Sequence, residues 1–213
     1  MTLPIAIRNR LAELILDSLH HERSRDALEA LAAALGDEAA TSADSTPRAF
    51  PPAWFDEPGD EPAESGQWRE HAAEIAHRAG RAARALRARS AEPPEAGLAV
   101  ALDDAATLFD AGLYFEVHEL LEPQWRQATA ADRTALQGLI QIAVGFQHLA
   151  NGNVAGARSL LGEGTARTLG RSLGGLDLDC FARGVRRGLV AIGADPTTFD
   201  WDGAPRFPRA ARA

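Results

Sequence analysis

The sequence predicts an all-α protein, with a compact multi-helix bundle-like core and an N-terminal helical extension. Apolar residues recur at helical spacing in one segment after another, and no parallel strand pattern or internal repeat is visible. The chain has 213 residues, enough to bury a core without staples. Its single cysteine, Cys180, excludes a disulfide framework, and we expect it to be a small buried residue.

The first 90 residues divide into three predicted segments. Residues 1–36 form a helical hairpin that ends at Gly36, a predicted C-cap. Residues 37–65 are acidic and proline-rich, which is typical of an exposed linker, with Trp54 and Phe55 as local anchors. Residues 66–90 form an Arg/Ala-rich helix with a continuous apolar stripe. The stripe contains Trp68, Ala72, Ile75, Ala79, Ala82 and Leu86.

Residues 97–193 form an all-helical core domain, with a pocket lined by His, Glu and Gln side chains. The predicted helices run near Leu98 to Ala111, Tyr114 to Ala128, Asp132 to Ala150, Val154 to Leu169 and Leu178 to Ile192. Gly152 and Asn153 suit a C-cap followed at once by an N-cap, which predicts a tight antiparallel corner. Residues 194–213 form an irregular tail with three aromatic docking points. These are Phe199, Trp201 and Phe207.

The helix that begins at Tyr114 carries two ionisable residues on its apolar stripe. His118 and Glu122 lie one turn apart and share this face with Tyr114, Phe115 and Trp125. They are therefore predicted to reach the interior. Glu116 and Glu119 fall on a separate arc, which we interpret as the solvated face.

The following helix is apolar around most of its circumference and is predicted to be central and buried. Its polar strip consists of Gln137, Gln141 and His148. Gly138 and Gly145 flank that strip and would let another backbone or a ligand approach closely. Side chains lean toward the N-terminus of their own helix. If the two helices pair antiparallel, His118 on the first and His148 on the second therefore lean toward each other.

Two interpretations of these residues remain open. In the first, His118, Glu122 and His148 bind a divalent metal (Zn, Fe or Mn are not distinguished), and Gln137 and Gln141 orient ligands or water. In the second, the same side chains form a buried hydrogen-bond network that sets the helix register. The metal version also admits a metal-dependent hydrolase, in which the metal acts as a Lewis acid, bound water is the nucleophile and Glu122 or Glu116 is the nearby base. A zincin is disfavoured, because His118-Glu119-Leu120-Leu121-Glu122 lacks the second histidine of that motif.

Charge and targeting signals restrict the partners. A basic run on the third helix, Arg78, Arg81, Arg84 and Arg87, could contact a polyanion, but the net charge of −8 argues against nucleic acid. The N-terminal helices could instead dock a protein partner or a second copy of the chain, as in a non-catalytic interaction module. No signal peptide or membrane-spanning run is visible, so we expect a cytoplasmic protein without a membrane partner.

Two stretches of the core domain carry a family resemblance. Residues 109–125 (FDAGLYFEVHELLEPQW) and 136–157 (LQGLIQIAVGFQHLANGNVAGA) resemble the bacterial and archaeal domain of unknown function 309, over roughly residues 98–176. The H-x-x-x-E-x-x-W element of that family corresponds to His118, Glu122 and Trp125. The resemblance implies a compact all-helical domain that binds metal, and it implies no reaction or substrate. Residues 1–90 have no counterpart in it.

Overall fold

The computed structural model describes residues 3–40, 70–87, 89, 97–192 and 199–210. Within these ranges the chain is all-α, as predicted, and it contains eight helices and one two-stranded hairpin. It divides into two compact units, Met1–Pro93 and Pro94–Ala213. Most of the predicted linker, including Trp54 and Phe55, lies outside the described residues, as does Trp68.

The first unit contains three helices: α1 (Ile5–Asp17), α2 (Glu22–Ala40) and α3 (Ala72–Leu86). Their core consists of fully buried aliphatic side chains, namely Leu11, Ile15, Leu28, Leu31, Leu35, Ile75 and Leu86. The predicted C-cap at Gly36 is wrong, because α2 continues through this residue to Ala40. A glycine inside a helix costs only about 1 kcal/mol relative to alanine, which the alanines around it can offset.

Arg25 links the start of α2 to the chain before it and to the chain after α3. Its guanidinium donates to the backbone carbonyls of Ser18, Leu19 and Arg89, each at 2.7 Å. The contact with Arg89 brings the start of α2 next to the chain that follows α3. The two helices are therefore antiparallel.

The second unit contains five helices and a hairpin. The helices are α4 (Leu98–Asp110), α5 (Tyr114–Gln127), α6 (Ala130–Ala150), α7 (Val154–Thr168) and α8 (Asp179–Ala191). Strands β1 (Ser172–Leu173) and β2 (Leu176–Asp177) pair antiparallel between α7 and α8. Strands of two residues are too short to produce an alternating pattern, which is why the sequence did not predict them.

Helices α6 and α7 pack with their backbones in close approach. A Cβ atom built on Gly138 would lie 2.9 Å from the carbonyl oxygen of Gly164, and one on Gly164 would lie 2.7 Å from that of Gly138. A Cβ on Gly145 would lie 2.8 Å from the side chain of Leu161. The two glycines predicted to admit a backbone or a ligand thus accommodate helix α7.

The corner between α6 and α7 has the predicted double cap. Gly152 has φ of +78°, and the amides of Gly152 and Asn153 donate to the carbonyls of Leu149 and His148 at 3.0 and 2.9 Å. This pair of bonds is a Schellman motif. The Asn153 side chain then caps α7 by accepting from the Gly156 amide at 2.9 Å.

The segment 199–210 docks on this unit through its aromatic residues. Phe207 is buried against the rings of Phe109 and Phe181, at centroid distances of 5.5 and 5.4 Å. Its amide donates to Asp110 at 3.0 Å. Two further predicted docking points, Phe199 and Trp201, contact the ring of Phe146.

Cys180 is exposed, contrary to the prediction, because α8 buries the face that carries Phe181, Ala182 and Val185. None of the described helices combines the length and the apolar character needed to cross a bilayer.

Candidate metal-binding cluster on helix α5

Helix α5 starts immediately after a tight turn that ends α4. The amides of Gly112 and Leu113 donate to the carbonyls of Phe109 and Leu108, and Gly112 has φ of +70°. The buried face of α5 then carries Tyr114, Val117 and Leu121. His118 follows Val117 and lies at the edge of this face.

Two carboxylates meet His118 on the same helix. The imidazole Nδ1 lies 3.0 Å from Glu119 Oε1, and Nε2 lies 3.8 Å from Glu122 Oε2. One ligand atom from each of the three residues can be chosen so that all lie within 4.8 Å of one another. The side chains are between 31% and 39% exposed, so the cluster is accessible from solvent.

The neighbours of the cluster constrain both carboxylates. Arg126 donates to Glu122 Oε1 at 2.8 Å, which leaves Oε2 directed at His118. Glu119 Oε1 lies beside the ring nitrogen Nδ1, at 3.0 Å, and pairs with the imidazole as an ion when His118 is protonated. In the neutral tautomer with its proton on Nδ1, beside Glu119, the lone pair lies on Nε2 and faces Glu122.

The sequence prediction for α5 needs three corrections. Glu119, assigned to the solvated face, belongs to the cluster. Glu116, assigned to the same face, is fully buried. His118 and Glu122, predicted to reach a buried pocket, are only half-buried. A helical wheel drawn for one helix does not include the neighbouring elements, and those elements decide how far each edge is covered.

His148, the third predicted ligand, lies outside this group of ligand atoms. Its Nδ1 is 2.9 Å from the side-chain nitrogen of Asn153. The Asn153 oxygen accepts from the Gly156 amide, so the amide must present its NH₂ group to His148. Nδ1 therefore accepts, and the proton of a neutral His148 lies on Nε2. In this arrangement neither ring nitrogen offers a free lone pair to a metal.

The predicted pocket residues fall into several different surroundings. Tyr114 is buried in the aromatic cluster with Phe109 and Phe146. Phe115 lies beside His118, at 6.2 Å between ring centroids. Trp125 is half-buried beneath the guanidinium of Arg133, which lies 4.5 Å from its ring.

The polar strip of α6 also has its own partners. Gln141 donates to Glu163 on α7 at 3.0 Å. Gln137 is half-buried. The strip is thus engaged with α7 at Gln141 and with the α6–α7 corner at His148, and the structure brings neither into the His118 cluster.

The basic run predicted to contact a polyanion lies in the first unit. Arg78 is buried, with 9% of its surface exposed. Arg81 is half-buried, whereas Arg84 and Arg87 are exposed. The exposed pair lines a groove together with the acidic residues Asp26 and Glu29.

Comparison with protein families supports the resemblance seen in the sequence. Residues 102–160 match the family model described as a domain of unknown function, DUF309. The match runs from α4 through α5 and α6 into α7, and so includes the His118 cluster and His148. No curated protein and no solved structure matches the chain. The fold and site therefore define an all-α protein whose second unit contains a DUF309-like region, and the description of that family assigns no activity.

Proposed function

We propose that this chain binds a divalent metal ion at the cluster formed by His118, Glu119 and Glu122. The observation that carries the proposal is the pairing of each ring nitrogen of His118 with its own carboxylate, at 3.0 and 3.8 Å. An imidazole and carboxylates are the ligands that zinc, iron(II) and manganese(II) share. The half-exposed position of the cluster gives an ion a path of entry.

The geometry supports distinct roles for the two glutamates. Two ligands of a tetrahedral zinc site lie about 3.4 Å apart, so His118 Nε2 and Glu122 Oε2 need to approach only slightly to hold one ion. With a proton on Nδ1, Glu119 would accept a hydrogen bond from that nitrogen and orient the ring, as carboxylates do behind many metal-bound histidines. His118 and Glu122 would be the ligands, and Glu119 a positioning residue.

Two side-chain ligands leave the remaining coordination positions to water or to a small molecule. A bound ion of this kind can present a ligand oxygen or activate a water molecule. The same open positions would serve either a binding protein or a metal-dependent hydrolase. Metal binding is the step common to both, and it is therefore the property to test first.

The test is isothermal titration of zinc and manganese into the tag-free full chain. We expect one ion per chain, no measurable binding by His118→Ala, and a loss in affinity of about tenfold or more by Glu122→Gln. Glu119→Gln should lose only a few-fold, because the amide oxygen of glutamine can still accept from Nδ1.

Two matched variants complete the design. His77→Ala removes an exposed histidine of the first unit and should leave the affinity unchanged. His148→Ala should also retain binding, because Asn153 occupies the nitrogen that faces it. A wild type that takes up neither ion, or one whose affinity survives His118→Ala, refutes the proposal. Loss of binding in His148→Ala would instead make His148 a ligand.

A further inference from the structure

A groove runs between α2 and α3 on the first unit. It has a volume of about 880 Å³ and is open to solvent. Small residues from both helices line it, namely Ala30, Ala33, Ala76 and Gly80. A second pocket of about 350 Å³ shares Asp26, Glu29, Ala83 and Arg87 with it, so the groove continues toward the Arg89 end of α3.

The two walls of the groove carry opposite charges. Helix α2 contributes the exposed carboxylates of Asp26 and Glu29, and α3 together with its C-cap residue contributes the exposed guanidinium groups of Arg84 and Arg87. In the described part of the chain, no ion pair joins these two walls. A Cβ on Gly80 would lie 3.3 Å from the Arg84 guanidinium, which places this cation beside the groove floor.

We propose that the groove is the interface with a second copy of this chain. The two copies would be related by a two-fold axis that runs along the groove, parallel to α2 and α3. Such an axis places α2 of each copy on α3 of its partner. It also leaves the position of every residue along the helix axes unchanged. The acidic wall of one copy then meets the basic wall of the other twice in the same interface.

The charge pattern selects this axis over a perpendicular one. The antiparallel order of α2 and α3 puts Asp26 and Glu29 level with Arg87, since all three line both pockets. A two-fold axis perpendicular to the helices, in the plane of the interface, would reverse the positions of residues along the helix axes and would place α2 on α2 of the partner. The carboxylates would then face the other end of the partner's α2, and no opposite charge would meet them.

The same carboxylates disfavour a polyanion as the occupant. A nucleic acid that approached Arg84 and Arg87 in the groove would also meet Asp26 and Glu29 on the opposite wall. Repulsion from these two carboxylates opposes the attraction of the two guanidinium groups. A surface that carries both signs in separate rows complements itself instead.

The size of the surface sets the expected strength of the dimer. Helix α3 has 15 residues, which corresponds to a length of about 22 Å. Alanine and glycine allow helices to approach closely, but a two-helix face of this length lies at the low end of stable interfaces. We therefore expect a dimer that dissociates on dilution and weakens as salt screens the wall charges.

The experiment is sedimentation velocity of the full chain at several concentrations, with two charge-reversed variants. The acid-wall variant carries Asp26→Arg and Glu29→Arg, and the base-wall variant carries Arg84→Glu and Arg87→Glu. In each variant all four walls of a dimer would have one sign. We expect the wild type to dimerise and both variants to remain monomeric.

Mixing the two variants provides the decisive measurement. In a heterodimer of the acid-wall and base-wall variants, each contact again joins opposite charges, so mixing should restore a dimer that neither variant forms alone. Arg23→Glu, an exposed charge outside the groove lining, is the control and should dimerise as the wild type does.

Three results would overturn the proposal. A wild type that stays monomeric at all concentrations means that the groove does not bind a second copy. A dimer that persists in both wall variants uses another surface. Variants that are individually monomeric but do not associate when mixed show that the walls do not meet across the two-fold axis proposed here.

Discussion

Replacing Gly164 with alanine tests the close approach of α6 and α7. A Cβ at this position would lie 2.7 Å from the carbonyl oxygen of Gly138, 2.8 Å from Ile142 Cγ1 and 3.0 Å from the Ile142 amide nitrogen. Two of these atoms belong to the backbone of α6, so no change of rotamer relieves the overlap. The two helices must separate to admit the methyl group.

The expected magnitude follows from two opposing effects. Alanine in a helix is better than glycine by about 1 kcal/mol. Overpacking of a tight contact costs about 1 to 3 kcal/mol, and a contact with backbone lies at the upper end. We therefore expect a net loss of about 1 to 2 kcal/mol in the free energy of unfolding, or roughly 2 to 8 °C in melting temperature for a chain of this size.

Gly162 supplies a matched control on the same helix. A Cβ there would meet only Leu189 Cδ2, at 4.0 Å, so Gly162→Ala should raise the melting temperature through helix propensity alone. Thermal and urea unfolding followed by circular dichroism would measure both variants. Similar changes in stability, in the same direction, for the two substitutions would refute the backbone contact between α6 and α7 as the cause.

Two further predictions concern single side chains. Asn153→Asp retains the cap acceptor for Gly156 but faces His148 Nδ1 with an oxygen, so the imidazole proton should move from Nε2 to Nδ1 in ¹⁵N NMR spectra; an unchanged tautomer would contradict the assigned amide orientation. The hydrogen bonds from Arg183 and Gly170 hold the pKa of Asp179 below its ordinary value of 3.8, so they stabilise the fold at higher pH and lose this effect as pH falls through the folded-state pKa. Asp179→Asn should therefore lower the melting temperature slightly at neutral pH, and the difference from wild type should shrink in acid; a difference independent of pH would show that the carboxylate charge is not involved.

Periodicity and caps predicted much of the second unit. The predicted corner at Gly152 and Asn153 is present with both caps. The same motif could have predicted the hydrogen-bond partner of His148. A Schellman turn brings the residue after the glycine, Asn153, back to the third-last residue of the helix, which is His148. The side chain of Asn153 is thereby placed against that of His148. The sequence predicted the turn, but the contact between these two side chains was not predicted.

The candidate site was only partly predictable. The spacing of His118 and Glu122 predicts that they share a site. A helical wheel places Glu119 on the solvated face, and a solvent-exposed residue is then not considered as part of the site. At the edge of a buried face a residue can have both properties. Glu119 is 39% exposed and still lies 3.0 Å from the imidazole. A metal site on a helix surface needs an edge of this kind, since a fully buried face would exclude the ion's remaining water ligands.

The metal site and the groove can be tested independently, because they belong to different compact units and share no residue. His118→Ala changes no charge in the groove, and the wall variants leave every residue of α5 in place. A chain that dimerises without binding metal would be an interaction protein whose His118 cluster is a local network on one helix. A chain that binds metal as a monomer would retain the site proposed here, and the groove would then require a different occupant.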